Sequence, residues 1–140
     1  MSFESELNYL SLNEDKESNP NQRQRLTQEE IDGILNEYAN APVDFIDYLK
    51  EIGAGNVMST QFKIYDKLTD FFDLGLDDLY TLPNGVKLFG DNFSGDFAGF
   101  DFSKENTDEV VEFWHDSNEM YNTGKTFREY IREKMLMPTV

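Results

Sequence analysis

The chain has one histidine, His115, and no cysteine, so any catalytic relay, imidazole metal site or general base must be built around a single ring. The spacing around it supports none of these. Ser94 lies in FSGD and lacks the flanking glycines of a G-x-S-x-G nucleophile turn, and no H-E-x-x-H is present. An enzyme reading would need His115 to work with Asp116 or Asp96, whereas a polar side chain at a strand end is the simpler role for His115. Without cysteine there is also no thiolate nucleophile, no thiolate metal site and no disulfide framework.

Asp91, Asp96 and Asp101, interleaved with Gly90, Gly95 and Gly99, invite a calcium-loop or paired-carboxylate reading. The D-x-[DN]-x-[DN]-G pattern is not met, because Gly95 falls one place early and Phe93 occupies a ligand position. GDNFSGD is glycine-rich, yet its acids would repel a phosphate instead of cradling it. The sequence therefore assigns no catalytic residue, no metal ligand and no cofactor.

Charge is the stronger signal. The chain carries 28 acids against 12 bases, a formal net charge of −16, which opposes binding to phosphate backbones and to anionic membranes. Between Asp66 and Asp116 stand 13 acids and three lysines, a local net of −10, while residues 117–140 sum to +1. Such an excess either solvates a face or captures a basic protein, where steering raises the association rate and complementary charge rejects wrong partners. The expected partner-binding acids are Asp73, Asp77, Asp78, Asp91 and Asp96.

The elements that must position these residues follow from periodicity. Ser11 to Arg25 is polar and nearly free of bulky apolar side chains, so residues 1–25 read as a flexible N-terminal segment, with Phe3, Leu7, Tyr9 and Leu10 able to dock as a short helix or strand. Residues 26–140 read as the domain. Thr27 and Glu30 form a capping box framed by Leu26 and Ile31, and Ile31, Ile34, Leu35 and Tyr38 mark one helical face. Pro42 opens a second helix with Phe45, Ile46, Leu49 and Ile52 on one side, and Gly53 and Gly55 end it.

Alternation from Met58 to Tyr65 predicts a half-buried strand, with Met58, Thr60, Phe62 and Ile64 inward. The stretch Asp66 to Leu82 fits neither period. Pro83-Asn84-Gly85 is a turn, followed by three strand-like pieces, Val86 to Phe89, Phe97 to Phe102 and Val110 to Trp114, arranged as an antiparallel meander. Thr126 and Glu129 repeat the capping-box spacing before a closing helix with Phe127, Tyr130, Ile131 and Met135 on one side. Helices, then strands, then a helix predict an α+β fold: an antiparallel β-sheet flanked by N-terminal helices and a C-terminal helix.

At 140 residues one domain is expected, and 20 aromatic side chains distinguish the composition from that of chains that stay unfolded at high charge. Glu4 and Glu6 interrupt the place of a signal sequence, and no run approaches ~18 apolar residues. A soluble, cytoplasmic protein is expected.

Four pieces in order carry a family resemblance: APVDFIDYLKEIGAG at Ala41 to Gly55, LPNGVKLFGDNFSGDFAGFDF at Leu82 to Phe102, EVVEFWHDS at Glu109 to Ser117 and KTFREYI at Lys125 to Ile131. Together they resemble the SUKH superfamily, the Smi/Knr-type domain of bacterial immunity proteins and of a fungal cell-wall regulator, over roughly Leu26 to Leu136. Ala41-Pro42 stands where the family usually has Leu-Pro, and Asp66 to Tyr80 aligns with no family pattern. The resemblance implies a non-enzymatic α+β domain whose sheet and helices bind protein. It further implies a bacterial immunity protein that neutralises a cognate, nucleic-acid-acting toxin, with a regulatory or scaffold module as the alternative. The partner expected is a basic protein toxin, with neither nucleic acid nor membrane bound directly.

Overall fold

The computed structural model describes residues 2–14, 23–58 and 61–138. Among the described residues, seven strands form one sheet in sequence order, every neighbouring pair antiparallel: β1 (Arg23–Gln24), β2 (Ala54–Val57), β3 (Phe62–Thr69), β4 (Val86–Asp91), β5 (Phe97–Asp101), β6 (Glu109–Trp114) and β7 (Glu119–Thr126). Four helices accompany it among those residues: α1 (Glu4–Asn13), α2 (Gln28–Glu37), α3 (Val43–Glu51) and α4 (Phe127–Lys134). The α+β architecture with flanking N- and C-terminal helices is the one expected.

Both capping boxes form. Thr27 Oγ1 accepts from the Glu30 amide, Thr126 Oγ1 accepts from the Glu129 amide, and each glutamate accepts in return from the cap residue's own amide. Loss of one such cap costs about 1 kcal/mol, so these two short helices have defined starts independent of the core. Pro42 is the residue before α3, where its missing N–H leaves no buried donor unmet.

The main core lies between one face of the sheet and the helices. Phe45 of α3 is its hub, with ring centroids 5.8 Å from Phe89, 5.5 Å from Phe100 and 5.4 Å from Phe127. Tyr48, outside the expected α3 face, is also fully buried, between Phe3 and Phe127. Gly99 is required by the sheet, because a Cβ there would approach the Lys87 carbonyl oxygen to 2.2 Å.

Three expectations change. Residues 1–25 do not stay free in their described part: Phe3 and Leu10 bury fully, Glu6 joins two arginines of α4, and Arg23–Gln24 pairs with β2. The apolar anchors and the ion pairs offset the ordering entropy that the polar stretch alone could not, while residues 15–22 lie outside the described residues. The strand expected from Met58 to Tyr65 is β3 and begins only at Phe62, because Met58 takes a positive φ of 47° and leaves the extended conformation; Ser59 and Thr60 of that alternation lie outside the described residues, and β2 precedes the expected span. Finally, β7 adds a strand that the meander lacked.

Candidate functional site

Of the segment that fitted neither period, Asp66 to Thr69 completes β3 and the remainder belongs to the loop between β3 and β4. It crosses the second face of the sheet, where Phe71 and Tyr80 pack with Val86, Leu88, Phe97 and Phe113 in a small separate core. Phe71 stands 4.8 Å from Phe113 and 5.2 Å from Phe97, edge to face in both cases, and Tyr80 stands 5.3 Å from Phe113. The far end is tied by Asn118 Oδ1, which accepts from the Thr81 amide. Anchored in this way, the loop presents Asp73, Asp77 and Asp78 to solvent. Phe72 and Leu79 beside them are 75% and 66% exposed. Among the described residues, no cation pairs with any of these three aspartates.

Of the other two expected acids, Asp91 ends β4 and Asp96 lies in the turn between β4 and β5, and both are engaged there. Asp91 Oδ2 accepts from the Tyr65 hydroxyl at 2.6 Å, and its Oδ1 accepts from the Phe93 amide. Burial and this carboxylate push the Tyr65 phenol up. Asp96 Oδ1 receives both the amide and the ring Nδ1 of His115, and its Oδ2 receives the Asn92 side chain. Burial alone would raise the Asp96 carboxyl, but these donors outweigh it and hold it below its ordinary value. The hydrogen bond to Asp96 raises the His115 imidazole above its ordinary value, and Asp116, 2.9 Å from Nε2, adds to it. Two carboxylates thus hold both ring nitrogens, an arrangement that orients an imidazolium instead of freeing a base for substrate.

A second acidic region, not singled out by the sequence, lies between α2 and β3. Glu30 and Glu37 of α2 face Asp66 of β3, with Asp70 and Asp73 following at the loop entrance, around a hollow of about 470 Å³. It adjoins a second hollow of about 400 Å³ that shares Glu30, Asp66, Lys67 and Thr69. Lys87 reaches Asp70 at 3.1 Å and is held above its ordinary value despite desolvation. The Asp73 amide, more than Lys87, keeps the Asp70 carboxyl low. The available signal was the seven-residue spacing of Glu30 and Glu37, which puts both on one side of a helix with Gly33 between them. Asp73 belongs to this rim as well as to the loop, so the two acidic regions are continuous.

Among the described residues, no three His, Asp or Glu side chains converge where a metal ion could be held, and no helix is long and apolar enough to cross a membrane.

No curated protein and no solved structure matches the chain. The family model SUKH_6, described as SMI1-KNR4 cell-wall, matches residues 40–131, from Asn40, three residues ahead of α3, to Ile131 within α4. That span contains the meander, the anchored loop and the His115 turn, and by it the chain belongs to the SUKH family.

Proposed function

We propose that this protein is a cytoplasmic immunity protein that binds a basic, nucleic-acid-acting toxin of bacterial origin and blocks it by occupying its phosphate-binding cleft, without catalysis of its own. The observation that carries this reading is the anchored β3–β4 loop, which holds Asp73, Asp77 and Asp78, without an ion-pair partner among the described residues, around exposed Phe72 and Leu79. Apolar anchors ringed by charge are the composition of a protein-binding patch, in which the anchors supply affinity and the acids supply steering and selectivity. Asp91 and Asp96 add negative charge at the other end of β4. The engagement of His115 by two carboxylates supports a binding role over a catalytic one.

The description of the matching family, which names the cell wall, favours a second reading: a regulatory or scaffold module that uses the same surface for a different protein. Co-purification of the full chain with the protein encoded beside it tests the first reading. A complex that inhibits a toxin activity supports immunity; a complex with a cell-wall protein and no inhibition supports regulation.

A further inference from the structure

Strand β3 leaves part of its edge without a neighbour. Its pairing with β2 ends at Gly55↔Ile64, because β2 begins at Ala54 and the chain before it turns into α3. On the other side, the β4 register passes from Ile64↔Gly90 to Thr69↔Leu88, so β3 bulges between these points. Asp66 to Thr69 therefore runs in extended conformation with an edge open on the β2 side among the described residues. The continuous hollow described above runs along this edge, and α2 forms its opposite wall.

Three further features suit an incoming chain. Gly33 of α2 lines the wall, and a Cβ built there meets nothing within 4 Å, so the helix surface is open to close approach. Thr69 lines both hollows and is 2% exposed, yet its hydroxyl has no hydrogen-bond partner among the described residues. Such a group is costly to leave unmet, and it marks a place where a donor or acceptor is missing. Beside α2 the rim carries Glu30, Glu37, Asp66 and Asp73 against Lys67 and the Asp70-paired Lys87, while Arg25 and Lys63 line the far end of the groove, so its acidic part is the stretch that faces Gly33.

We propose that the groove between α2 and the Asp66–Thr69 edge of β3 receives an extended, arginine- or lysine-bearing segment of a partner protein as an added strand. This deepens the protein-binding reading above and rests on it. The strand edge supplies main-chain hydrogen bonds, and the acidic rim selects basic side chains on alternate residues. At ~3.3 Å per residue in both strands, the edge pairs with about four residues, so a five-residue segment spans it. A second copy of this chain is disfavoured as occupant, because two molecules of charge −16 repel.

The test uses the full-length protein and a capped five-residue peptide of alternating arginine and valine, with a second peptide in which proline replaces valine as a charge-matched control. Amide hydrogen exchange and peptide titration are read together. The proposal expects the first peptide to protect the amides of Asp66 to Thr69 and to bind at least tenfold more tightly than the proline peptide. Gly33→Trp, which fills the groove from the helix side, should abolish binding, while Gly33→Ala leaves it intact and reports that α2 still folds. Equal binding of the two peptides, protection elsewhere, or unchanged binding by Gly33→Trp overturns it. Self-association that Gly33→Trp dissolves also overturns it, since the occupant is then a second copy. If the co-purifying partner binds Gly33→Trp as well as it binds the wild type, the groove is wrong and the protein-binding reading stands. Loss of any partner for the wild type defeats that reading instead.

Discussion

Asp96 Oδ1 accepts two hydrogen bonds from one residue, the His115 amide at 3.1 Å and the His115 ring at 2.8 Å, and so ties the β4–β5 turn to the end of β6. Gly95 makes room for this contact: a Cβ there would come within 3.0 Å of the imidazole, and its φ of +96° suits glycine. Because His115 is raised by Asp96, its contribution to stability is complete below about pH 6.5 and is lost as pH rises through the raised value. Asp96 is lowered, so its contribution is complete above about pH 4 and is lost only as pH falls through its depressed value. His115→Gln should therefore lower the melting temperature most near pH 5.5, and the gap from wild type should narrow by about half or more by pH 9. A gap constant across that range would show that the ring acts through packing.

Glu6 is 1% exposed, and Oε1 receives Arg128 at 3.0 Å and Arg132 at 3.1 Å. This buried carboxylate joins the first helix to the last across the core that contains Tyr48 and Phe127, and the Arg128 guanidinium also lies 3.9 Å over the Phe3 ring. Glu6→Gln should keep the shape and lose the charge, destabilising the fold by about 1–3 kcal/mol in urea unfolding. Half-exposed arginines relax into solvent, which keeps the loss below that of a fully buried pair. An unchanged midpoint would mean that Phe3 and Leu10 alone dock α1.

Gly99 and Gly33 should respond oppositely to alanine. At Gly99 the new methyl would overlap the Lys87 carbonyl across β4 and β5, and a loss of about 1–3 kcal/mol or more is expected as the ladder shifts. At Gly33 the methyl meets open space on α2, and a gain of about 0.5–1 kcal/mol is expected from helix propensity. Thermal unfolding of the two variants compares them directly.

The legibility of the fold in the sequence follows local chemistry. Thr27/Glu30 and Thr126/Glu129 were readable because a capping box is complete within four residues, and the central strands were readable because turns bracket their apolar runs. Strand β7 was not, since EMYNTGKT is a sheet edge with little burial on either side and Gly124 in a positive-φ kink. Helix α1 was only partly legible, because one of its buried positions is Glu6, whose partners lie more than a hundred residues away. The acidic excess was visible as a count. Which aspartates bind turns, as Asp91 and Asp96 do, and which have no ion-pair partner among the described residues, as Asp77 and Asp78, depends on the donors each turn brings close. The α2–β3 groove needed the sheet itself, since its two walls are about 30 residues apart in the chain.

The central claim, capture of a basic protein by the acidic loop, is tested most directly by stopped-flow association of the protein with the product of the gene beside its own, measured from low to high salt. The account predicts an association rate that falls steeply with ionic strength, and a Asp73→Asn, Asp77→Asn, Asp78→Asn variant that associates roughly tenfold more slowly at low salt and converges with wild type at high salt. No association, or a rate independent of both salt and these three substitutions, would contradict it.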